Sequence, residues 1–185
     1  HVIIPENIPV NRKKDFIAWA ETKDINIHWL SESQPSAPDT GSSLPVADDI
    51  AFIQYTSGST DFPKGVPLSH HNLITNIIQM TEALGITEDD VFISWLPVYH
   101  DMGLILNTMV PLFTGARLVL LKEGLHKVHS WLKTIEAYKG TIISGPDIAY
   151  RLCAKSIRNP ADYDLSSLRV ALNASEPIHL QTYRL

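Results

Sequence analysis

From Ile50 onward the chain alternates short apolar runs with stretches of helical periodicity. "IAFIQYT" (50–56) has strand length, and "GVPLSH" (65–70) is an extended piece interrupted by Pro67. "HHNLITNIIQMTEAL" (70–84) places Leu73, Ile77, Met80 and Leu84 on one helical stripe, with Ser69 or His70 at its start. "DVFISWLP" predicts a strand, "GLILNTMVPLF" a short helix and "ARLVLL" another strand. "VHSWLKTIEAY" predicts a helix with Trp131, Ile135 and Tyr138 aligned. "GTIIS" is a strand, "PDIAYRLCAKSI" a helix with Pro146 in its first turn, and "LRVALN" a strand. Strands that are nearly continuously apolar, alternating with helices, predict an α/β fold: a largely parallel sheet with flanking helices.

The first thirty residues are simpler. "KKDFIAWA" has helical spacing and "INIHWL" alternates like a strand. Residues 31–48, opening with "SESQPSAPDTGSSL", are rich in Ser, Pro, Asp and Gly and predict a connector or surface loop between segment 1–30 and a core at 49–185.

Composition narrows the partners. The 185 residues carry 20 acidic and 15 basic side chains, and no basic run is longer than "RKK" at 12–14, which argues against a nucleic-acid surface. Cys153 is the single cysteine, so an intrachain disulfide is excluded and a helix-buried thiol is expected. No 18-residue apolar span is present and the first residues lack the order of a signal peptide, so a transmembrane protein is not expected and a cytoplasmic setting is. The chain begins at His1 rather than Met and reads as a piece of a longer protein.

The candidate chemistry sits after the first core strand, in "YTSGSTDFPKG" (55–65). The Walker arrangement is not met, because Val66 follows the lysine and glycine where Ser or Thr would stand. The chemical offer to an anion remains: hydroxyls from Thr56, Ser57, Ser59 and Thr60, converging backbone N–H groups at Gly58, and the Lys64 cation. On composition alone, a solvated strand-to-helix turn is the alternative.

Together, "YTSGSTDFPKGVPLSHHNL", "WLPVYHDMGLI", "GTIISGPDIAYRLC" and "DLSSLRVALNASEPI" resemble the adenylate-forming superfamily, and within it the fatty acyl-AMP ligases. The resemblance runs from about Asp49 to the end, making 49–185 a fragment of the AMP-binding core in the large N-terminal domain, without the small C-terminal domain. It implies activation of a fatty acid by ATP and Mg2+ to an acyl-adenylate with release of pyrophosphate, then transfer to the phosphopantetheine arm of an acyl-carrier protein. Thr56, Ser57, Gly58, Ser59, Thr60, Lys64 and Gly65 would surround the β- and γ-phosphates, with Lys64 catalytic. His100, also catalytic, would lie where the acyl carboxylate meets the α-phosphate, beside Tyr99, Met102 and Gly103 on the acyl side. Asn173, Ala174, Ser175, Glu176 and Pro177 would face the adenine and ribose. No residue is nominated as a metal ligand.

Two departures stand out. Asp61 replaces a glycine in the phosphate loop, and its charge would weaken polyphosphate binding unless it faces solvent, Mg2+ or Lys64. Ala174 replaces another glycine, adding a β-carbon beside the adenine site. A long-chain fatty acyl-CoA ligase and a diverged, non-catalytic nucleotide-binding or structural module remain alternatives. The segment alone is expected to be inactive.

Overall fold

The computed structural model describes residues 2–5, 14, 17–18, 27–30, 44–56, 63–122, 128–180 and 182. The chain divides into two compact units, His1–Leu44 and Pro45–Leu185. In the first, β1 (Val2–Pro5) pairs in parallel with β2 (Ile27–Leu30), the strand expected within "INIHWL". Lys14, Ile17 and Ala18 are helical, as "KKDFIAWA" predicts, while the rest of that run and residues 31–43 of the connector lie outside the described residues.

The second unit opens with β3 (Ile50–Tyr55) and β4 (Gly65–Ser69), paired antiparallel, as suits strands joined by a short connection. α1 (His70–Leu84) follows directly. Ser69 caps it: Ser69 Oγ accepts from the Asn72 N–H (3.2 Å), and Asn72 Oδ1 accepts from the Ser69 N–H (3.1 Å). The helix stops at Gly85, whose φ of 58° is left-handed.

β5 (Val91–Ser94), β6 (Arg117–Leu120), β7 (Ile142–Gly145) and β8 (Val170–Asn173) form one parallel sheet in the order β6-β5-β7-β8. Successive strand residues point to opposite faces, and here both faces are covered. Phe92 and Ile142 enter one core with Ile77 of α1, Leu106 and Val110. Ile93 and Ile143 enter the other, with Trp131, Leu132 and Ile135 of α3 (Val128–Tyr138) and Ala149 of α4 (Asp147–Ser156). Cys153 packs at the edge of this second core, half-buried, and burial pushes its thiol up. Tyr138, aligned by periodicity with Trp131 and Ile135, is 50% exposed and borders an open polar cavity with Glu88, Asp89 and Lys139.

The short helix expected over 103–113 differs in kind. It is a π-helix at Met102–Met109 running into α2 (Val110–Thr114). Gly103 presses on the β5 exit loop so closely that a β-carbon would lie 2.0 Å from the Pro97 carbonyl oxygen. The Val110 N–H donates to the Ile105 carbonyl across the wider turn, and two side chains also reach back five residues: Asn107 Nδ2 donates to the Met102 carbonyl (2.8 Å) and Thr108 Oγ1 to the Gly103 carbonyl (2.8 Å). Asn107 Nδ2 also donates to Ser144 Oγ of β7 (2.8 Å), which pins the π-helix to the sheet.

At the amino end of the sheet one ion pair ties four elements together. Asp90, 3% exposed, accepts from Arg169 Nε (2.8 Å) and NH2 (2.5 Å), Thr141 Oγ1 (2.6 Å) and the Thr87 N–H (2.9 Å). Arg169 also donates to the carbonyls of Leu84 and Gly85, closing the end of α1. The Arg169 hydrogen bond outweighs burial and pulls the Asp90 carboxyl from 3.8 to about 2.

Two outcomes follow for the full-length protein. Because Asp90 is depressed, its stabilisation of about 2 kcal/mol is complete above about pH 4 and lost as pH falls through about 2. Asp90→Asn should remove that acid dependence and cost about 3 kcal/mol at neutral pH, near the low end for a broken buried pair, because Arg169 is 37% exposed and can hydrate. Chemical denaturation of both proteins across this pH range checks it, and parallel curves for the two would refute it. Gly103→Ala should destabilise by about 1–3 kcal/mol through overpacking, read as a lowered thermal midpoint.

Candidate active site

The carboxyl ends of parallel strands are where open α/β sheets bind ligands, and three of the four quoted motifs converge there. β5 leads to Tyr99–Gly103, β7 to the start of α4, and β8 to Asn173–Pro177. The β3–β4 connection supplies the fourth. Its two ends are held by the Thr56 N–H donating to the Lys64 carbonyl (2.9 Å), beyond the last ladder pair Tyr55 and Gly65. Ser57, Gly58, Ser59, Thr60 and Asp61 lie outside the described residues.

A cavity of about 550 Å³ joins this connection to the β5 exit loop. Its lining is Gln54, Tyr55, Thr56 and Pro63 on one side and Tyr99, His100 and Asp101 on the other. Lys64, next to Pro63, is exposed. The structure therefore brings the phosphate-loop ends and the His100 loop to one opening.

His100 is held rather than free to swing. Its Nδ1 lies 2.8 Å from Asp101 Oδ1, and the same carboxylate oxygen accepts from the Met102 N–H (2.7 Å) at the start of the π-helix. The Met102 N–H also lies within hydrogen-bond distance of Nδ1 (3.3 Å), so the ring's contacts run through Nδ1 and leave Nε2 on its far side; the side chain is 52% exposed. Among the substrate-side candidates, Gly103 is buried and has the packing task described above.

The Asn173–Pro177 turn is not part of the cavity lining, but it touches the π-helix: Ser175 Oγ donates to Met102 Sδ (2.9 Å). Left-handed backbone falls on Ser175, with φ 75°, and not on Ala174. The alanine that replaces glycine therefore needs no glycine conformation. Asn173 Nδ2 donates to Asp147 Oδ1 (3.0 Å), and the Ala174 N–H to the Gly145 carbonyl (3.2 Å). Burial pushes the fully buried Asp147 carboxyl up, but hydrogen bonding, led by Asn173, holds it below the usual carboxylate range.

Sequence reasoning passed over Asn107, Ser144 and Asp147. The first two carried a signal, since each is a polar residue inside an apolar run, "GLILNTM" and "GTIIS". A buried polar group in such a run needs a partner, and these two serve each other.

Comparison with known proteins fits this geometry. Residues 4–184 match the family described as AMP-binding enzyme. The chain is 45% identical, over 73% of its length and 22% of the relative's, to the medium-chain-fatty-acid–[acyl-carrier-protein] ligase TtuA of Teredinibacter turnerae. It is 34% identical to the corresponding ligase JamA of Moorena producens, over 98% of this chain and 32% of that one. Among solved structures, a fatty acyl-adenylate ligase from L. pneumophila in complex with acyl adenylate and pyrophosphate superposes with a TM-score of 0.78 at 34% identity, covering 99% of this chain and 32% of that one. The chain thus spans less than a third of the length of these relatives. It belongs to the AMP-binding, adenylate-forming enzymes, in their fatty acyl-AMP ligase branch.

Proposed function

We propose that the full-length protein activates a fatty acid with ATP and passes the acyl group to the phosphopantetheine thiol of an acyl-carrier protein. The observation that carries this reading is the opening lined by Thr56 and Pro63 on one side and Tyr99 and His100 on the other. The relatives named as acyl-carrier-protein ligases, and the neighbour solved with acyl adenylate and pyrophosphate, support it.

An ionised carboxylate oxygen attacks the α-phosphorus, a P–O bond forms, and the bond to pyrophosphate breaks. No proton needs removal, because a fatty carboxylate is already charged at neutral pH. Lys64 and the hydroxyls from Thr56 onward offset the charge gathering on departing pyrophosphate. His100, steadied by Asp101, would offer Nε2 to the oxygens between acyl carbon and phosphorus. The carrier thiolate then attacks the acyl carbonyl and AMP leaves.

ATP fits a site of hydroxyls, backbone amides and a lysine. Mg2+ belongs on its phosphate oxygens, as that ion favours substrate phosphates. Among the described residues no group of three His, Cys, Asp or Glu is arranged to hold a metal. Residues 49–185 act here as part of the AMP-binding core, with the rest of the parent completing the site. The setting is cytoplasmic, where ATP and carrier proteins meet; no helix among the described residues is long and apolar enough to cross a membrane.

In the full-length protein, pyrophosphate release should depend on added fatty acid, and radiolabelled acyl groups should appear on holo carrier protein. Lys64→Ala should lower kcat/KM by about 10²–10³, the usual loss for one transition-state donor, with the fold intact by circular dichroism. Absence of fatty-acid-dependent release from the wild type would reject the reading. Acyl-CoA as the product would reassign the acceptor, and nucleotide binding without turnover would favour a non-catalytic module.

A further inference from the structure

Helix α4 starts without a cap of its own. Its N-cap residue is Pro146, which has no side-chain hydrogen bond to offer, so the N–H groups of the first turn need an acceptor from elsewhere. The acceptor for Ile148 comes from 28 residues downstream: its N–H donates to Glu176 Oε1 at 2.6 Å. A carboxylate at this position also meets the positive end of the helix dipole.

Glu176 is not an isolated contact. β8 itself is fastened to the same helix by Asn173 Nδ2, at its last residue, on Asp147 Oδ1, and by Tyr150 Oη donating to the Leu172 carbonyl (2.7 Å). Between the two fastenings, at residues 173 and 176, stands Ser175 with its left-handed φ of 75°. A serine leaves that conformation readily unless its neighbours are fixed. Asn173 and Glu176 fix it from either side.

We infer that Glu176 is a positioning residue that caps α4 in place of Pro146 and thereby holds the Asn173–Pro177 turn in its nucleotide-binding shape. This rests on the proposed adenylating function for the meaning of that turn. Glu176 then acts on ATP through backbone placement, and its charge does not contact the nucleotide. The cap also couples two parts of the site. α4 follows β7 and the turn follows β8, so the Glu176 bond adds to the strand pairing and to the Asn173–Asp147 and Ala174–Gly145 bonds that already join the two strand ends.

The test uses the full-length protein with Glu176→Ala, which removes the acceptor, and Glu176→Gln, which keeps an acceptor oxygen without the charge. Without ligand, amide hydrogen exchange at Ile148 should be at least about tenfold faster in the alanine variant than in wild type, and near wild type in the glutamine variant; tenfold corresponds to about 1.4 kcal/mol. In steady-state assays Glu176→Ala should raise the KM for ATP about tenfold with kcat changed less than threefold, and Glu176→Gln should recover most of the loss. Unchanged Ile148 exchange in Glu176→Ala overturns the cap whatever the activity. A glutamine variant as impaired as alanine, with the loss in kcat, overturns the positioning role and assigns the charge to the nucleotide. If the wild type releases no pyrophosphate with any fatty acid, the proposed function fails instead, and the exchange arm still decides the cap.

Discussion

Burial of both faces of the four-stranded sheet is the constraint from which the rest of the second unit follows. Residues such as Phe92 and Ile93, or Ile142 and Ile143, point into opposite apolar cores, so the central strands β5 and β7 carry no charged residue. Polar chemistry is left to the strand ends. At the amino ends it is structural, with Asp90 and Arg169 joining α1, β5, β7 and β8. At the carboxyl ends it is convergent, with the exposed His100, the buried Asp147 at the α4 start and the Asn173–Pro177 turn.

The same constraint explains how much of the fold was legible in the sequence. Two-sided burial writes itself as continuous apolar runs, so every strand of the sheet was readable from composition and length. α1 was readable from its stripe and from Ser69. The π-helix was not, because its wider turn is decided by Gly103 against the Pro97 carbonyl and by Asn107 reaching Ser144, 37 residues away. Helical periodicity contains no record of such contacts. Tyr138 misled for a related reason: periodicity gives the face of a helix but not where the covering layer ends.

The site was legible as motifs and opaque as mechanics. Resemblance identified the His100 loop and the Asn173–Pro177 turn, and the structure draws the former to the ends of the phosphate loop. It does not carry the tether between Asn173 and Asp147, the capping of α4 by Glu176, or the contact of Ser175 with Met102. Each depends on which distant segment the fold delivers, and residue types alone do not specify it. Ala174 is the clearest case, since a lost glycine suggested backbone trouble and the left-handed residue proved to be its neighbour.

The reach of the Asp90–Arg169 pair has a consequence for how the protein is made. The two residues are 79 positions apart, and β8, which brings Arg169, is the last of the four described strands in chain order. Until it leaves the ribosome, Asp90 has Thr141 and Thr87 but no cation, and the end of α1 lacks the arginine that closes it. β5, β6 and β7 alone therefore leave a carboxylate awaiting its counter-charge. Arrival of β8 both extends the sheet and neutralises its buried acid.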